Sequence, residues 1–223
     1  MPSQPVQLVI CDCDGVIVDS EILAEQVLLD VLGVHAPRGD IELLLRECFG
    51  LSSEGILKLA EGRFGVTLSP AVAAEVRART DALIAESVQP IAGVKSALEQ
   101  IDLPLCVVSN SFHPSVVNSI RRAGLTERVA GKIFSADMVA HPKPAPDLYL
   151  LASASMGVAP EQCLAIEDSL AGAQAALAAG ARVIGFVGAS HVPPTHAATL
   201  LEMGVVAVVK HMADLPALVR SLQ

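Results

Sequence analysis

Val6-Gln7-Leu8-Val9-Ile10-Cys11-Asp12-Cys13-Asp14-Gly15-Val16-Ile17-Val18-Asp19-Ser20 opens with a short apolar run rich in Val and Ile. Such a run reads as a buried strand. It ends in Asp12 and Asp14, one residue apart, and then in Gly15, which lets the backbone turn. Burying a single carboxylate without a partner costs several kcal/mol, so two at one strand end call for a cation, a proton or a chemical task. A surface turn is the bland reading of Asp-x-Asp-Gly. A calcium loop needs Gly at its sixth position and a helix before it; here Gly15 is fourth from Asp12 and a strand precedes.

Working outward, the pattern after Ser20 turns helical. Leu23, Val27 and Val31 recur every four residues, joined by Leu28 and Leu32, and Gly33 ends the run. Asp40 is expected to cap a second helix carrying Ile41, Leu44, Leu45 and Cys48. Ser52 or Ser53 caps a third, ending near Gly62 or Gly65, and Ser69 with Pro70 opens a fourth. No strand signal interrupts this region, and strands flank it on both sides. The sequence therefore predicts a core of residues 1–18 and 89–223 with a helical cap, residues 19–88, inserted into it.

Beyond Pro90, helices alternate with apolar runs at Leu105–Val108, Lys132–Phe134, Cys163–Ile166, Val183–Phe186 and Val205–Val209. Helical crossovers between doubly buried strands require a parallel sheet, so the expected class is α/β, a doubly wound Rossmann-like core. Ligands bind such sheets at the carboxyl ends of the strands. Asp12 and Asp14 follow the first run, Ser109-Asn110-Ser111 the second, Lys143 comes soon after the third, and Glu167-Asp168 follow the fourth. Carboxylates from two strand ends can share one Mg²⁺, which keeps its other positions for water and phosphate oxygens. A lysine and a small hydroxyl suit the remaining phosphate oxygens.

Composition narrows the partners. With 52% hydrophobic and 17% charged residues, the 223-residue chain has ample material for a core. A net charge of -9, one Tyr and no Trp make nucleic acid an unexpected partner. The five cysteines form no CxxC pair, and most read as small apolar core residues of a reducing cytoplasm. The run from Val6 is cut by Asp12, so neither a secretory signal nor membrane attachment is expected. The most membrane-like segment, residues 169–190, reads better as an Ala-rich helix stopped by Gly180 and followed by a strand.

Four motifs in order, Asp12 to Ser20, Val107-Val108-Ser109-Asn110-Ser111, Lys143-Pro144-Ala145-Pro146-Asp147 and Ile166-Glu167-Asp168-Ser169, make the chain resemble the haloacid dehalogenase superfamily of phosphotransferases. The insert resembles the four-helix cap of the branch that holds phosphoglycolate phosphatases, sugar-phosphate phosphatases and β-phosphoglucomutases. Bacterial 6-phosphogluconate phosphatases look most similar, through Cys106–Asn110 and Ser169–Gln174. The resemblance implies Mg²⁺-dependent hydrolysis of a small phosphorylated metabolite by a monomer or weak homodimer. It implies Asp12 as nucleophile and Asp14 as acid and base, with its backbone carbonyl on Mg²⁺. Ser109 and Asn110 would face the phosphate, Lys143 would bridge nucleophile and phosphoryl group, and Asp168, with Glu167, would complete the metal site. Ser52 and Lys58 are candidate substrate contacts from the cap.

The resemblance also speaks against a mutase. Ala24 stands where those enzymes carry a gating His, and Ser53 follows Gly50-Leu51-Ser52 where they carry an Arg. A metal-free haloacid dehalogenase has no use for Asp14 or Glu167-Asp168, and a non-catalytic regulatory relative would be expected to have lost at least one of Asp12, Asp14, Lys143 and Asp168. Packing is the expected role of Cys11 and Cys13. His113 could reach the site but reads more safely as a solvated loop residue, and His191 and His196 read as isolated in a Pro193-Pro194 loop.

Overall fold

A computed structural model describes residues 4–48 and 51–223. Strands β1 (Leu8–Asp12), β2 (Leu105–Ser109), β3 (Ile133–Ser135), β4 (Cys163–Glu167), β5 (Arg182–Phe186) and β6 (Ala207–Val209) form one parallel sheet in the order β3-β2-β1-β4-β5-β6. The order runs outward one way through β2 and β3 and the other way through β4 to β6. The doubly wound switch point therefore lies between β1 and β4, and sheets of this class bind ligands at the carboxyl edge of that point. Every residue of β1, β2 and β4 is buried, which explains their unbroken apolar character.

The chain falls into two compact units. One runs to Asp19 and resumes at Gln89; the other is Ser20–Val88. The second holds α1 (Glu21–Leu32), α2 (Arg38–Glu47), α3 (Ser53–Phe64) and α4 (Pro70–Ser87). Its core gathers Val27, Leu28 and Leu32 of α1 with Ile41 and Leu44 of α2, Ile56 and Leu57 of α3, and Val76 of α4. Gly50 lies outside the described residues. Asp40 is not the cap of α2: Pro37 holds that position in extended backbone and Asp40 sits in the first turn, because the helix begins early around an Arg38–Glu42 pair four residues apart. Ser52 does cap α3, accepting from the backbone N–H of Gly55 at 3.2 Å, and Gly65 closes that helix in the left-handed region.

The first unit carries α5 (Val94–Glu99), α6 (His113–Arg122), α7 (Thr126–Val129), α8 (Asp147–Met156), α9 (Leu170–Ala179), α10 (His196–Met203) and α11 (Leu215–Ser221). Leu8 and Ile10 of β1 pack with Cys106 and Val108 of β2, Tyr149 and Ala152 of α8, and Ala173 and Ala176 of α9. The small residues of α9 let it lie close to the sheet. Helix α6 starts at His113 and accepts Pro114 in its first turn, where the ring gives up only an N–H that has no helical partner. Where the chain leaves this unit and returns to it, the two crossings are zipped together. Val18 pairs antiparallel with Pro90, and Asp19 donates its N–H to the Gln89 carbonyl at 2.9 Å. Among the described residues no helix is long and apolar enough to cross a membrane.

Candidate active site

The parallel register delivers four motifs to one edge. Asp12 ends β1, Ser109 ends β2 and Glu167 ends β4, with Asp168 one residue further on. Lys143, from the segment after β3, projects between the first and last of these. Its Nζ contacts Asp12 Oδ1 and donates to Glu167 Oε1 at 2.7 Å. All three side chains are almost wholly buried. The lysine is fixed from behind by Asn110, whose Oδ1 accepts from Lys143 N and whose Nδ2 donates to Lys143 O, both at 2.9 Å. The Asn110 side chain thereby locks the second motif to the third.

Electrostatics here are set by burial and settled by contacts. Asp12, Glu167 and Asp168 are three buried acids and Lys143 is one cation. Desolvation pushes the Asp12 carboxyl well above the ordinary range; Glu167 pushes it further and Lys143 pulls it back. Asp168 is raised by burial too, against the pull of His191. For Lys143, burial alone would lower its pKa, but Asp12 and Glu167 outweigh burial and hold it above the usual lysine value, so it stays charged. The thiols of Cys11 and Cys13 are buried and pushed well up, Cys106 reaches about 12 and Cys163 about 11, all chiefly by desolvation. These thiols are protonated and unpaired, which fits packing better than redox work.

Asp14 is held differently. Ser109 Oγ donates to its Oδ2 at 2.8 Å and Ser111 Oγ donates to the same oxygen at 2.9 Å, while Ser109 Oγ accepts from Ser111 N. In this arrangement the single proton of Ser109 is given to Asp14, whereas the sequence pointed it at a phosphate oxygen. The turn after β1 brings Gly15 against Asp168: a Cβ at Gly15 would lie 1.8 Å from Asp168 Oδ2, and the backbone there has φ +76°. Only glycine satisfies both conditions.

Three neighbours escaped the sequence reading. Tyr149, on the first turn of α8, is buried, donates its hydroxyl to Glu167 Oε1 at 2.5 Å and sits 5.5 Å from Lys143 Nζ at its ring centroid. His191 and His196 are not isolated. His191 Nε2 is 3.6 Å from Asp168 Oδ2, and His196, buried as the first residue of α10, places Nε2 2.5 Å from the Asp168 carbonyl. His113 is half-buried, with its N–H on Asp137 Oδ1. Ser52 and Lys58 belong to the helical unit, where Ser52 is a cap and Lys58 is exposed on α3.

Glu167 depends on Gly172. A Cβ there would lie 2.0 Å from Glu167 Oε2. Gly172→Ala in a helix gains about 1 kcal/mol in propensity, but displacing a packed buried group costs about 1–3 kcal/mol and would disturb the contacts to Lys143 and Tyr149. The contact should win, so the variant is expected to unfold at lower urea concentration. A raised urea midpoint would mean that the carboxylate can move aside.

Among the described residues, Asp12, Glu167 and Asp168 each offer an oxygen, and these lie within 4.8 Å of one another. Three buried acids against one lysine leave an excess of negative charge that a hard divalent cation would offset, and all-oxygen donors suit Mg²⁺. The residues therefore fit such an ion.

A family model for haloacid dehalogenase-like hydrolases matches residues 6–180. A protein of Escherichia coli K12 named 6-phosphogluconate phosphatase is 30% identical over 190 residues, which cover 85% of this chain and 86% of that one. A solved haloacid dehalogenase-like protein of unknown function from Agrobacterium tumefaciens superposes with a TM-score of 0.89 at 37% identity, covering 97% of this chain and 98% of its own. A family hydrolase from Deinococcus radiodurans, solved with bound phosphate and sodium, gives 0.82 at 31% identity, covering 98% and 96%.

Proposed function

The chain belongs to the haloacid dehalogenase-like hydrolases, and from that membership we propose a cytoplasmic, Mg²⁺-dependent phosphatase that hydrolyses small sugar or organic-acid phosphates through a phosphorylated Asp12. The observation that carries the reading is the buried Asp12–Lys143–Glu167 chain beside Asp168 at the switch point of the sheet. Phosphoryl transfer through a covalent intermediate uses a nucleophile, a fixed positive charge and acids able to hold a metal ion, and Asp12, Lys143 and Asp168 supply residues of those types side by side.

In this reading Asp12 attacks phosphorus, and the bond to the leaving oxygen breaks as Asp14 gives that oxygen a proton. Asp14 then takes a proton from the water that attacks the acyl phosphate, releasing inorganic phosphate and restoring Asp12. Ser109 and Ser111 hold the Asp14 carboxylate in one orientation for both transfers. Lys143 offsets charge gathering on the phosphoryl oxygens. Asp12, Asp168 and the Asp14 carbonyl would hold Mg²⁺, which supplies further charge neutralisation there. Glu167 is assigned chiefly to Lys143, because its oxygens already accept from Lys143, Tyr149 and Ser169.

Water is the proposed acceptor because Ala24 and Ser53 offer neither a gating imidazole nor a guanidinium for a second phosphate. The test is a panel of phosphorylated metabolites with Mg²⁺, read as released phosphate. Steady release that chelator abolishes and Mg²⁺ restores is expected, with no conversion of β-glucose 1-phosphate to glucose 6-phosphate even with bisphosphate activator. Isomerisation with little phosphate release would replace the hydrolase reading by a mutase, and full activity in chelator would remove the metal.

A further inference from the structure

Strand β5 leaves the sheet along a path fixed by Gly188, where a Cβ would lie 2.1 Å from the Lys210 carbonyl oxygen. Val187 reinforces that course by donating to Val209 O at 2.9 Å. The chain then crosses to the end of the β1 turn, where Ser190 N donates to Asp19 Oδ2 at 3.4 Å. His191 follows, its side chain 7% exposed, with Nδ1 3.8 Å from Asp19 Oδ1 and Nε2 3.6 Å from Asp168 Oδ2. After Pro193-Pro194 the chain turns into α10, and His196 reaches the Asp168 carbonyl. A carbonyl only accepts, so His196 Nε2 carries the proton.

One segment therefore grips Asp168 twice, at its carboxylate and at its backbone, while Gly15 closes on Oδ2 from another side. The mechanism above uses neither ring. Burying two imidazoles beside one acid has a desolvation cost, and both rings face Asp168, with Asp19 on the other side of His191. Mg²⁺ tolerates little deviation from octahedral geometry, so the rotation of a carboxylate ligand decides how well it binds.

We propose that His191, braced by Asp19 and seconded by His196, is a positioning residue that sets the orientation of the Asp168 carboxylate for the divalent cation. The inference rests on the reading of Asp168 as a metal ligand. Its 3.6 Å contact is long for a hydrogen bond, so the ring acts by filling the space beside Oδ2 and directing a polar N–H toward it.

The test uses the full chain and Mn²⁺ as probe, with binding read from the electron paramagnetic resonance signal of the free ion, without turnover. In His191→Gln the amide nitrogen falls near the position of Nε2, whereas in His191→Asn it falls near Nδ1 and no longer reaches Asp168. His191→Asn should bind Mn²⁺ about ten- to a hundredfold more weakly, and His191→Gln should recover most of the affinity. A general effect on folding would not separate two amides that differ in reach. Asp168→Asn is the control: native Mn²⁺ binding there would overturn the metal reading itself. If Asp168→Asn loses binding while His191→Asn binds like the native chain or more tightly, or while His191→Gln is as weak as His191→Asn, the positioning role is refuted and the metal site stands.

Discussion

Asp12→Asn should lower phosphate release by about four orders of magnitude or more, as removal of a nucleophile does in comparable machinery, while the fold survives with equal or greater stability. Asn keeps the shape of the side chain and removes the attacking charge. The stability half follows from the raised carboxyl, whose first cause is burial and second the charge of Glu167. An acid whose folded pKa lies above its unfolded value opposes folding once pH exceeds the unfolded value, and increasingly so up to the folded one. A neutral Asn escapes that penalty. The gain in urea midpoint should therefore be largest near neutral pH and fade as pH falls toward the ordinary carboxylate range. Turnover that persists in this variant would exclude Asp12 as the nucleophile, and a gain that grows toward acid would contradict the direction of the shift.

Lys143→Met should abolish turnover and also unfold the core more easily, which sets it apart from Asp12→Asn. Methionine fills the volume but leaves Asp12 and Glu167 facing each other without a shared cation. Breaking a buried ion pair from one side costs about 3–5 kcal/mol, or a fall on the order of 10 °C in thermal midpoint for a chain of this size. Adding Mg²⁺ should return part of the loss, because an ion bound by the folded state alone stabilises it by mass action. A thermal midpoint equal to that of the native chain, in chelator, would mean that the lysine is not the partner that keeps these acids buried.

The α/β alternation and the helical insert were legible because each rests on a local period: apolar runs such as Leu8–Ile10, and the fourfold recurrence of Leu23, Val27 and Val31. The meeting of Asp12, Lys143 and Asp168 was legible because a parallel sheet sends every strand end to the same edge. The same rule holds for the fifth strand. Extended to the residues after β5, it would have pointed to His191 and His196. Tyr149 could have been found from chemistry: a phenol among the apolar positions of α8 needs a partner for its hydroxyl, and it is the only Tyr in the chain. The early start of α2 and the gift of the Ser109 proton to Asp14 depend on contacts between specific atoms, which no periodicity encodes.

The zipped crossing at Val18–Pro90 and Asp19–Gln89 also has an entropic meaning. Seen from the core, everything in residues 20–88 is one closed loop whose two ends are already joined by backbone pairing. The cost of closing a loop grows only with the logarithm of its length, so exchanging this insert for a turn of a few residues would change that cost by about 2 kcal/mol. Loop closure therefore places almost no limit on the size of what is carried there. The sheet edge bearing Asp12 can keep its chemistry while the insert lengthens, shrinks or changes its fold.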